Sequence, residues 1–306
     1  MAINPLILNS AITRGLDVIG DRWALLILRD AFLGRKRFEE FRKFTGASKS
    51  TLTRRLESLV ASGLLYKHAY GEGRRFEYKL TEKGLALFGG SLLAWQWERD
   101  WVEDKRSLPV RLNHQLCNKP LNPKAICGHC GEVIAVADVQ WPDQPPEVES
   151  QLSEIKSINK LRRVRASSKT GEEDRALATV SDLIGDRWTL LILIALFFGL
   201  KRYDDFLKQL DIATNILAGR LNLLVDVKIV SRQAYQQNPP RYEYQLTKKG
   251  KALYPFIIAL RQWAVDWKTD STPVAELVHK RCSQPLVVDV VCDSCGERPL
   301  PGDVQF

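Results

Sequence analysis

The residues with the clearest chemical potential are cysteines and histidines. The chain holds six cysteines, and all of them lie in two segments that share one pattern: a His-x-x-Cys pair, nine intervening residues, then a Cys-x-x-Cys pair and a glycine. These residues are His114, Cys117, Cys127 and Cys130 in the first segment and His279, Cys282, Cys292 and Cys295 in the second. Ligand pairs at this spacing fit a tetrahedral zinc ion held by three thiolates and one imidazole. We therefore predict one structural zinc ion in each segment, with its four ligands from that segment.

Other chemistry remains open for the same cysteines. They could be reduced free thiols in a reducing cytoplasm, or each Cys-x-x-Cys could form a redox pair. His129 could compete as a ligand, but the second segment has Ser294 at that position, whereas His114 and His279 correspond. Catalytic zinc is disfavoured because the protein would supply all four ligands and the pattern contains no general base.

A second set of candidate residues follows a predicted helix from Ser48 to Ala61. Leu52, Leu56 and Leu59 share one face, which leaves serine, threonine, lysine and arginine on the opposite face. A short helix precedes it across a glycine turn, so the pattern predicts a helix-turn-helix whose second helix enters the major groove of DNA. The alternative for such a charged face is a solvated surface without a partner.

The segment after that helix favours the DNA-binding helix-turn-helix over a solvated surface. Residues 64–70 alternate in polarity, Gly71-Glu72-Gly73 form a turn, and residues 74–80 return, which predicts a β-hairpin. Arg74 and Arg75 lie at its tip, where they could contact phosphates. Helix-turn-helix and hairpin together predict a winged helix, and Thr81 is predicted to cap a long helix through Val102 that pairs domains.

The whole arrangement occurs twice. Gly20-Asp21-Arg22-Trp23 returns at 185–188, an offset of 165, and Phe76-Glu77-Tyr78 corresponds to Tyr-Glu-Tyr at 242–244, an offset of 166. A repeat of this length predicts two like domains. The fold class is thus mainly α with small hairpin wings. The predicted segments are winged domain 1 at 1–108, Cys/His module 1 at 109–141, a linker at 142–171, winged domain 2 at 172–272 and Cys/His module 2 at 273–306.

These motifs together resemble the HxlR family of bacterial winged-helix transcription regulators. The resemblance is carried by Gly-Asp-Arg-Trp before Leu-Leu-Ile-Leu and by Tyr-Glu-Tyr-x-Leu-Thr-x-Lys-Gly, in which the first copy has Phe at the first position, over about 90 residues in each copy. It implies operator binding as a dimer, with one recognition helix for each half-site. Some family members sense oxidants through a cysteine before the first buried helix; Ser10 and Arg175 stand near that position here, which puts such sensing in doubt.

The predicted DNA contacts differ between the copies. Lys49, Ser50 and Arg54 of the first correspond to Thr214, Asn215 and Gly219 of the second, which therefore has fewer cations on this face. We expect asymmetric half-sites; alternatively, the second copy serves pairing and contacts DNA little. The candidate DNA-binding residues are Ser48, Lys49, Ser50, Thr51, Arg54, Arg74, Arg75, Thr214, Asn215 and Arg241.

Composition agrees with a polyanionic partner, since the net charge is +9 in 306 residues. We find no secretory signal, membrane span or enzyme signature, and expect a cytoplasmic, non-enzymatic protein that binds double-stranded DNA without a membrane. A competing hypothesis is a protein-interaction or zinc-responsive scaffold in which the winged domains mediate assembly. The sequence leaves open the operator, any small-molecule effector, whether transcription is repressed or activated, and whether whole chains form a homodimer.

Overall fold

A computed structural model describes residues 15, 19–70, 75–103, 111–141, 177–267 and 276–305. The linker at 142–171, the predicted turn at 71–73 and Arg74 lie outside the described residues. Among the described helices, none is long and apolar enough to cross a membrane.

The first copy is a winged helix. It comprises α1 (Arg22–Phe32), α2 (Phe38–Thr45), α3 (Lys49–Ala61), β1 (Leu65–Ala69), β2 (Phe76–Leu80), α4 (Glu82–Leu85) and α5 (Phe88–Trp101). The apolar α1 is central and packs against α2 and α3. The antiparallel β1–β2 pair forms the wing. Thr81 caps α4 by accepting from Gly84 N at 3.1 Å, so the single long helix predicted through Val102 is instead two helices, separated by a turn at residues 86–87.

The second copy repeats this order. It comprises α6 (Ala178–Ile184), α7 (Arg187–Phe197), α8 (Tyr203–Leu210), α9 (Thr214–Asp226), β7 (Val230–Gln236), β8 (Arg241–Leu246), α10 (Lys248–Lys251) and α11 (Tyr254–Asp266). The residue that changes the offset from 165 to 166 lies in the wing, where the β7–β8 pairing has a bulge between Ala234 and Gln236. Two tandem winged helix-turn-helix domains, mostly helical with small strands, are thus confirmed.

The copies meet through their long helices. α5 packs against α11, and buried residues of both copies form one continuous core. Trp97 Nε1 donates to the Lys249 carbonyl at 3.0 Å, while Trp263 Nε1 donates to the Lys83 carbonyl at 2.9 Å. These residues correspond at an offset of 166, so the two bonds are related by an approximate two-fold relation.

One contact between the copies breaks that relation. The carboxylate of Glu98 on α5 accepts from Leu177 N and Val180 N at 2.7 Å each, at the start of α6. The corresponding residue on α11 is Ala264. Burial raises the pKa of Glu98 to about 7, and these backbone bonds oppose the increase only in part.

The Cys/His modules exchange strands. Module 1 contributes β3 (Asn113–His114), β4 (Lys119–Pro120), β5 (Pro123–Cys127) and β6 (Val139–Gln140); module 2 contributes β9 (Val278–His279), β10 (Gln284–Pro285), β11 (Val288–Cys292) and β12 (Val304–Gln305). β3 pairs with β12, β6 with β9, and β5 with β11. The modules are therefore interleaved, which the sequence pattern did not predict.

Candidate nucleic-acid interface and metal centres

The helix α3 presents the face expected of a recognition helix. Leu52, Leu56 and Leu59 are buried against the domain, as predicted. The predicted contact residues Ser48, Lys49, Ser50 and Arg54 are exposed, whereas Thr51 is half-buried. Ser48 begins the helix and accepts from Thr51 N at 3.3 Å, which satisfies one of the free amides at its N-terminus. The polar outer face is therefore available to a partner.

The corresponding helix α9 has the same inner face and a different outer one. Leu217, Leu221 and Leu224 are completely buried. Thr214 and Asn215 are exposed, but Ala213 at the helix start supplies no side-chain cap. From 49 to 61, α3 carries three cationic residues and one carboxylate, whereas α9 carries one of each.

An acidic residue missed by the sequence analysis holds each recognition helix in place. Asp21 caps α1 by accepting from Trp23 N at 2.9 Å, and it also pairs with Arg55 of α3 at 3.2 Å. In the second copy Asp186 caps α7 and accepts two bonds from Arg220 of α9, at 2.8 and 2.5 Å. The signal was available, since the aspartate of Gly-Asp-Arg-Trp stands at an N-cap position before an apolar helix.

The pKa values of the two aspartates are shifted in opposite directions. Burial raises the pKa of Asp21 above its usual value, and Arg55 opposes this only partly. Burial also acts on Asp186, but the hydrogen bonds from Arg220 and Thr189 outweigh it and lower the pKa. The bidentate pair in the second copy therefore holds its helix through a more firmly ionised carboxylate.

Cationic side chains also extend from both wings. Arg75 at the start of the returning strand and Arg241 at the corresponding place in the second wing are exposed. Arg74 lies outside the described residues. Tyr70 N donates to the Arg75 carbonyl at 3.1 Å, so this end of the first hairpin is held by a backbone bond.

The eight predicted metal ligands form two clusters, but their pairing differs from the prediction. We predicted four ligands from each segment. Instead His114 and Cys117 meet Cys292 and Cys295, and these four residues form quartet A. Cys127, Cys130, His279 and Cys282 form quartet B. The prediction of the pairing was wrong because strand exchange between β3 and β12, and between β6 and β9, carries each His-x-x-Cys pair to the other module.

Contacts within the quartets have the lengths expected for a tetrahedral site. Zinc–nitrogen and zinc–sulfur bonds of about 2.0 and 2.3 Å give edges of roughly 3.5 Å between nitrogen and sulfur and roughly 3.8 Å between sulfurs. His114 Nδ1 lies 3.5 Å from Cys117 Sγ and 3.3 Å from Cys295 Sγ. In quartet B, His279 Nδ1 lies 3.4 Å from the sulfurs of Cys130 and Cys282. Cys127 Sγ lies 3.9 Å from Cys282 Sγ.

The donor atoms are also in a suitable chemical state and position. All six cysteines are free thiols. Both histidines are completely buried, with Nδ1 directed at sulfur, and their Nε2 atoms have no hydrogen-bond partner among the described residues. His129, the competing ligand considered above, is exposed and outside both quartets. Each quartet can therefore hold one metal ion.

Comparison with known proteins identifies related sequences for both copies. The family described as HxlR-like helix-turn-helix matches residues 18–106 and 183–272. A helix-turn-helix transcriptional regulator of Mycobacterium bovis, of uncharacterised function, is 36% identical over 146 residues, which is 47% of this chain and 92% of the relative. A similar regulator of Synechocystis is 37% identical over 89 residues, or 29% of this chain and 66% of the relative.

Solved structures give matches of the same extent. A candidate transcription factor of Pseudomonas aeruginosa is 32% identical, with a TM-score of 0.32, and the match covers 40% of this chain and 82% of that one. The redox regulator HypR in its oxidised form is 28% identical, with a TM-score of 0.29, over 31% of this chain and 98% of that one.

Proposed function

The chain belongs to the HxlR-like helix-turn-helix family, and on that premise we propose that it binds operator DNA as a covalent pseudo-dimer, with one winged domain for each half-site. The observation that carries this proposal is that α3 and α9 both expose their polar outer faces while their leucines are buried. A helix exposed in this way can insert its N-terminal side chains into a major groove.

The contacts between the copies support the pseudo-dimer. The reciprocal bonds of Trp97 and Trp263 relate the domains by an approximate two-fold, and a two-fold pair of readers suits two half-sites about 34 Å apart. The Mycobacterium bovis regulator is matched almost completely by about half of this chain. Two copies in one polypeptide would thus do the work of two such chains.

The asymmetry of the copies gives each half-site a different chemistry. Lys49, Arg54 and Arg75 supply phosphate contacts in the first copy, whereas Asn215 can pair with adenine in the second. Arg241 of the second wing retains a phosphate contact. We therefore propose an imperfect palindrome, held more by charge at one half and more by base contacts at the other.

Structural zinc in quartets A and B is part of the proposal. Three thiolates and one imidazole form a closed ligand set with no position for a substrate, which is the composition of a structural site. Protein purified with zinc should contain two zinc ions for each chain after dialysis, measured by atomic emission. A zinc content below one ion for each chain would contradict this assignment.

Selection of genomic fragments by purified protein tests the DNA proposal. We expect an imperfect inverted repeat, an affinity that falls steeply with salt, and a large loss when either half-site is scrambled. Lys124→Ala is the control for variants that remove a cation from a winged domain. It removes one exposed cation from β5 in module 1 and should leave operator affinity unchanged. Binding that ignores sequence and persists at high salt would support the assembly scaffold instead.

A further inference from the structure

The crossed ligand sets give zinc a role that a self-contained zinc module would not have. Quartet A takes His114 and Cys117 from module 1 and its other two ligands from module 2, and quartet B does the reverse. Neither copy can complete a site alone. We infer that the two ions lock the two copies into one fixed arrangement and thereby make the spacing between DNA half-sites depend on zinc. The locking rests on the zinc occupancy proposed above, and the effect on spacing rests on the proposed DNA binding.

The lock has two separate points of attachment. β5 pairs with β11 so that Cys127 lies opposite Val288 at one end, while Cys292 lies opposite Pro123 at the other. Cys127 belongs to quartet B and Cys292 to quartet A, so the quartets lie near opposite ends of this ribbon, which is roughly 14 Å long for five residues. Two ions held apart in this way oppose rotation of one module against the other at both ends of the ribbon, whereas a single ion would hold only one end.

Backbone bonds reinforce the crossing in both directions. Gln115 N donates to the Asp303 carbonyl at 2.8 Å, and the corresponding Lys280 N donates to the Asp138 carbonyl, also at 2.8 Å. Each of these bonds follows directly after a ligand histidine, at positions 114 and 279. The backbone next to the histidine of each quartet is therefore held by a carbonyl group of the other module.

The ribbon also lies against the helices that pair the winged domains. A Cβ added to Gly89 of α5 would come within 2.9 Å of Val290 on β11, so helix and ribbon are in close contact. On the other side Val288 N donates to Gln262 Oε1 of α11 at 3.1 Å. A change in the ribbon is thus transmitted to α5 and α11, and through them to the relative position of α3 and α9.

Two double variants distinguish crossed ligation from ligation within each module. Both replace two cysteines, one of which is Cys117. The variant C117S/C295S damages quartet A twice and leaves quartet B intact, whereas C117S/C130S damages both quartets once. If each module held its own ion, the consequences would be reversed.

The measurement is zinc content of the full chain after dialysis against a weak chelator. We expect about two ions in the wild type and in the H129A control, about one in C117S/C295S, and nearly none in C117S/C130S. One ion in C117S/C130S and none in C117S/C295S would overturn the crossed assignment. C130S/C282S, which damages only quartet B, should also retain about one ion. It repeats the test if circular dichroism shows that C117S/C295S is unfolded.

The consequence for DNA is measured with operators whose half-sites are separated by zero, one or two added base pairs. Zinc-loaded wild-type protein should bind most tightly to the operator with the selected spacing. In C117S/C130S the ratio of affinities for the selected and altered spacings should fall about tenfold, while the affinity for one isolated half-site is unchanged. An unchanged spacing preference in the zinc-free variant would contradict the lock. If the zinc-loaded wild-type protein binds no operator, the proposed function is contradicted. The zinc contents of the double variants would still show whether the ligands are crossed between the modules.

Discussion

The inner and outer faces of the two copies have diverged to very different extents. On the inner side, Leu52, Leu56 and Leu59 of α3 correspond to three buried leucines of α9, and both helices are tied to an aspartate at the start of the central helix. On the outer side, a cation, a cap and a threonine of α3 are replaced by Gly219, Ala213 and Ile216. Packing therefore constrains the inner faces of both copies alike, whereas the outer faces, which we propose contact DNA, differ between them.

The contact made by Glu98 is expected to give the largest difference between the copies. Its folded pKa of about 7 lies above the usual value of 4.5, so folding favours the protonated form. The stability that this gives is present below about pH 4.5 and is lost as pH rises through about 7, by about 3 kcal/mol in total. We expect Glu98→Gln to remove that part of the pH dependence.

Urea unfolding at pH 5 and pH 8.5 measures the effect. The control is Glu103→Gln, which changes an exposed carboxylate a short distance along the chain and should keep the wild-type slope. If the free energy of unfolding changes equally with pH in Glu98→Gln and in the wild type, the Glu98 carboxylate does not titrate in this range.

Removing cations should weaken DNA binding to different extents at the two surfaces that we propose contact DNA. At about 0.1 M salt each phosphate contact contributes about tenfold in affinity, so Arg54→Ala with Arg75→Ala should weaken operator binding by about 100-fold. Arg241→Ala should cost about tenfold. The slope of log affinity against log salt should fall by about two for the first and about one for the second. Equal losses would show that the second copy depends on charge as much as the first.

A smaller effect is expected where the second recognition helix lacks a side chain. Gly219→Ala should raise the free energy of unfolding by about 1 kcal/mol, since the added Cβ would meet no atom within 4 Å beyond the adjacent backbone of its own helix, and alanine has the higher helix propensity. Gly84→Ala is the contrasting change, because its Cβ would lie 2.3 Å from the Leu64 carbonyl oxygen and should destabilise. Thermal unfolding of both variants measures these changes in stability. A lower unfolding temperature for Gly219→Ala than for the wild type would contradict the expectation.

The smallest expected effect concerns the helix caps. Ser48 and Ala213 have nearly the same extended backbone, with φ near −62° and −64°. Ala213→Ser should therefore add the cap that α9 lacks and stabilise by about 0.5–1 kcal/mol, while Ser48→Ala should destabilise α3 by a similar amount. Chemical denaturation of both single variants and of the exchanged double variant compares them, and the double variant should be close to the wild type.

Local patterns predicted most of the fold. Leucines three and four apart identified the buried face of α3, and alternating residues identified both wings, because these periods reflect contacts made within one element. The long helix after Thr81 was predicted without its break, since apolar spacing continues on both sides of the two-residue turn at 86–87 and does not reveal it.

The metal centres show where local patterns stop. Ligand types and spacing identified all eight residues, since short Cys-x-x-Cys and His-x-x-Cys loops are local features. The partners of each pair depend on β3 meeting β12 and β6 meeting β9, which are contacts across more than 130 residues. The roles of Asp21 and Asp186 likewise required Arg55 and Arg220 in space, although their capping positions were visible in the sequence.

The strand exchange also has a consequence for biosynthesis. During translation, the first module emerges from the ribosome with half of the ligands of each quartet and with three strands, β3, β5 and β6, whose partners lie in residues 278–305. Under the proposed zinc occupancy, neither quartet can therefore be completed before the second copy has been made. A nascent polypeptide arrested before that point would carry free cysteines and unpaired strand edges, and such edges can pair with the edges of other chains.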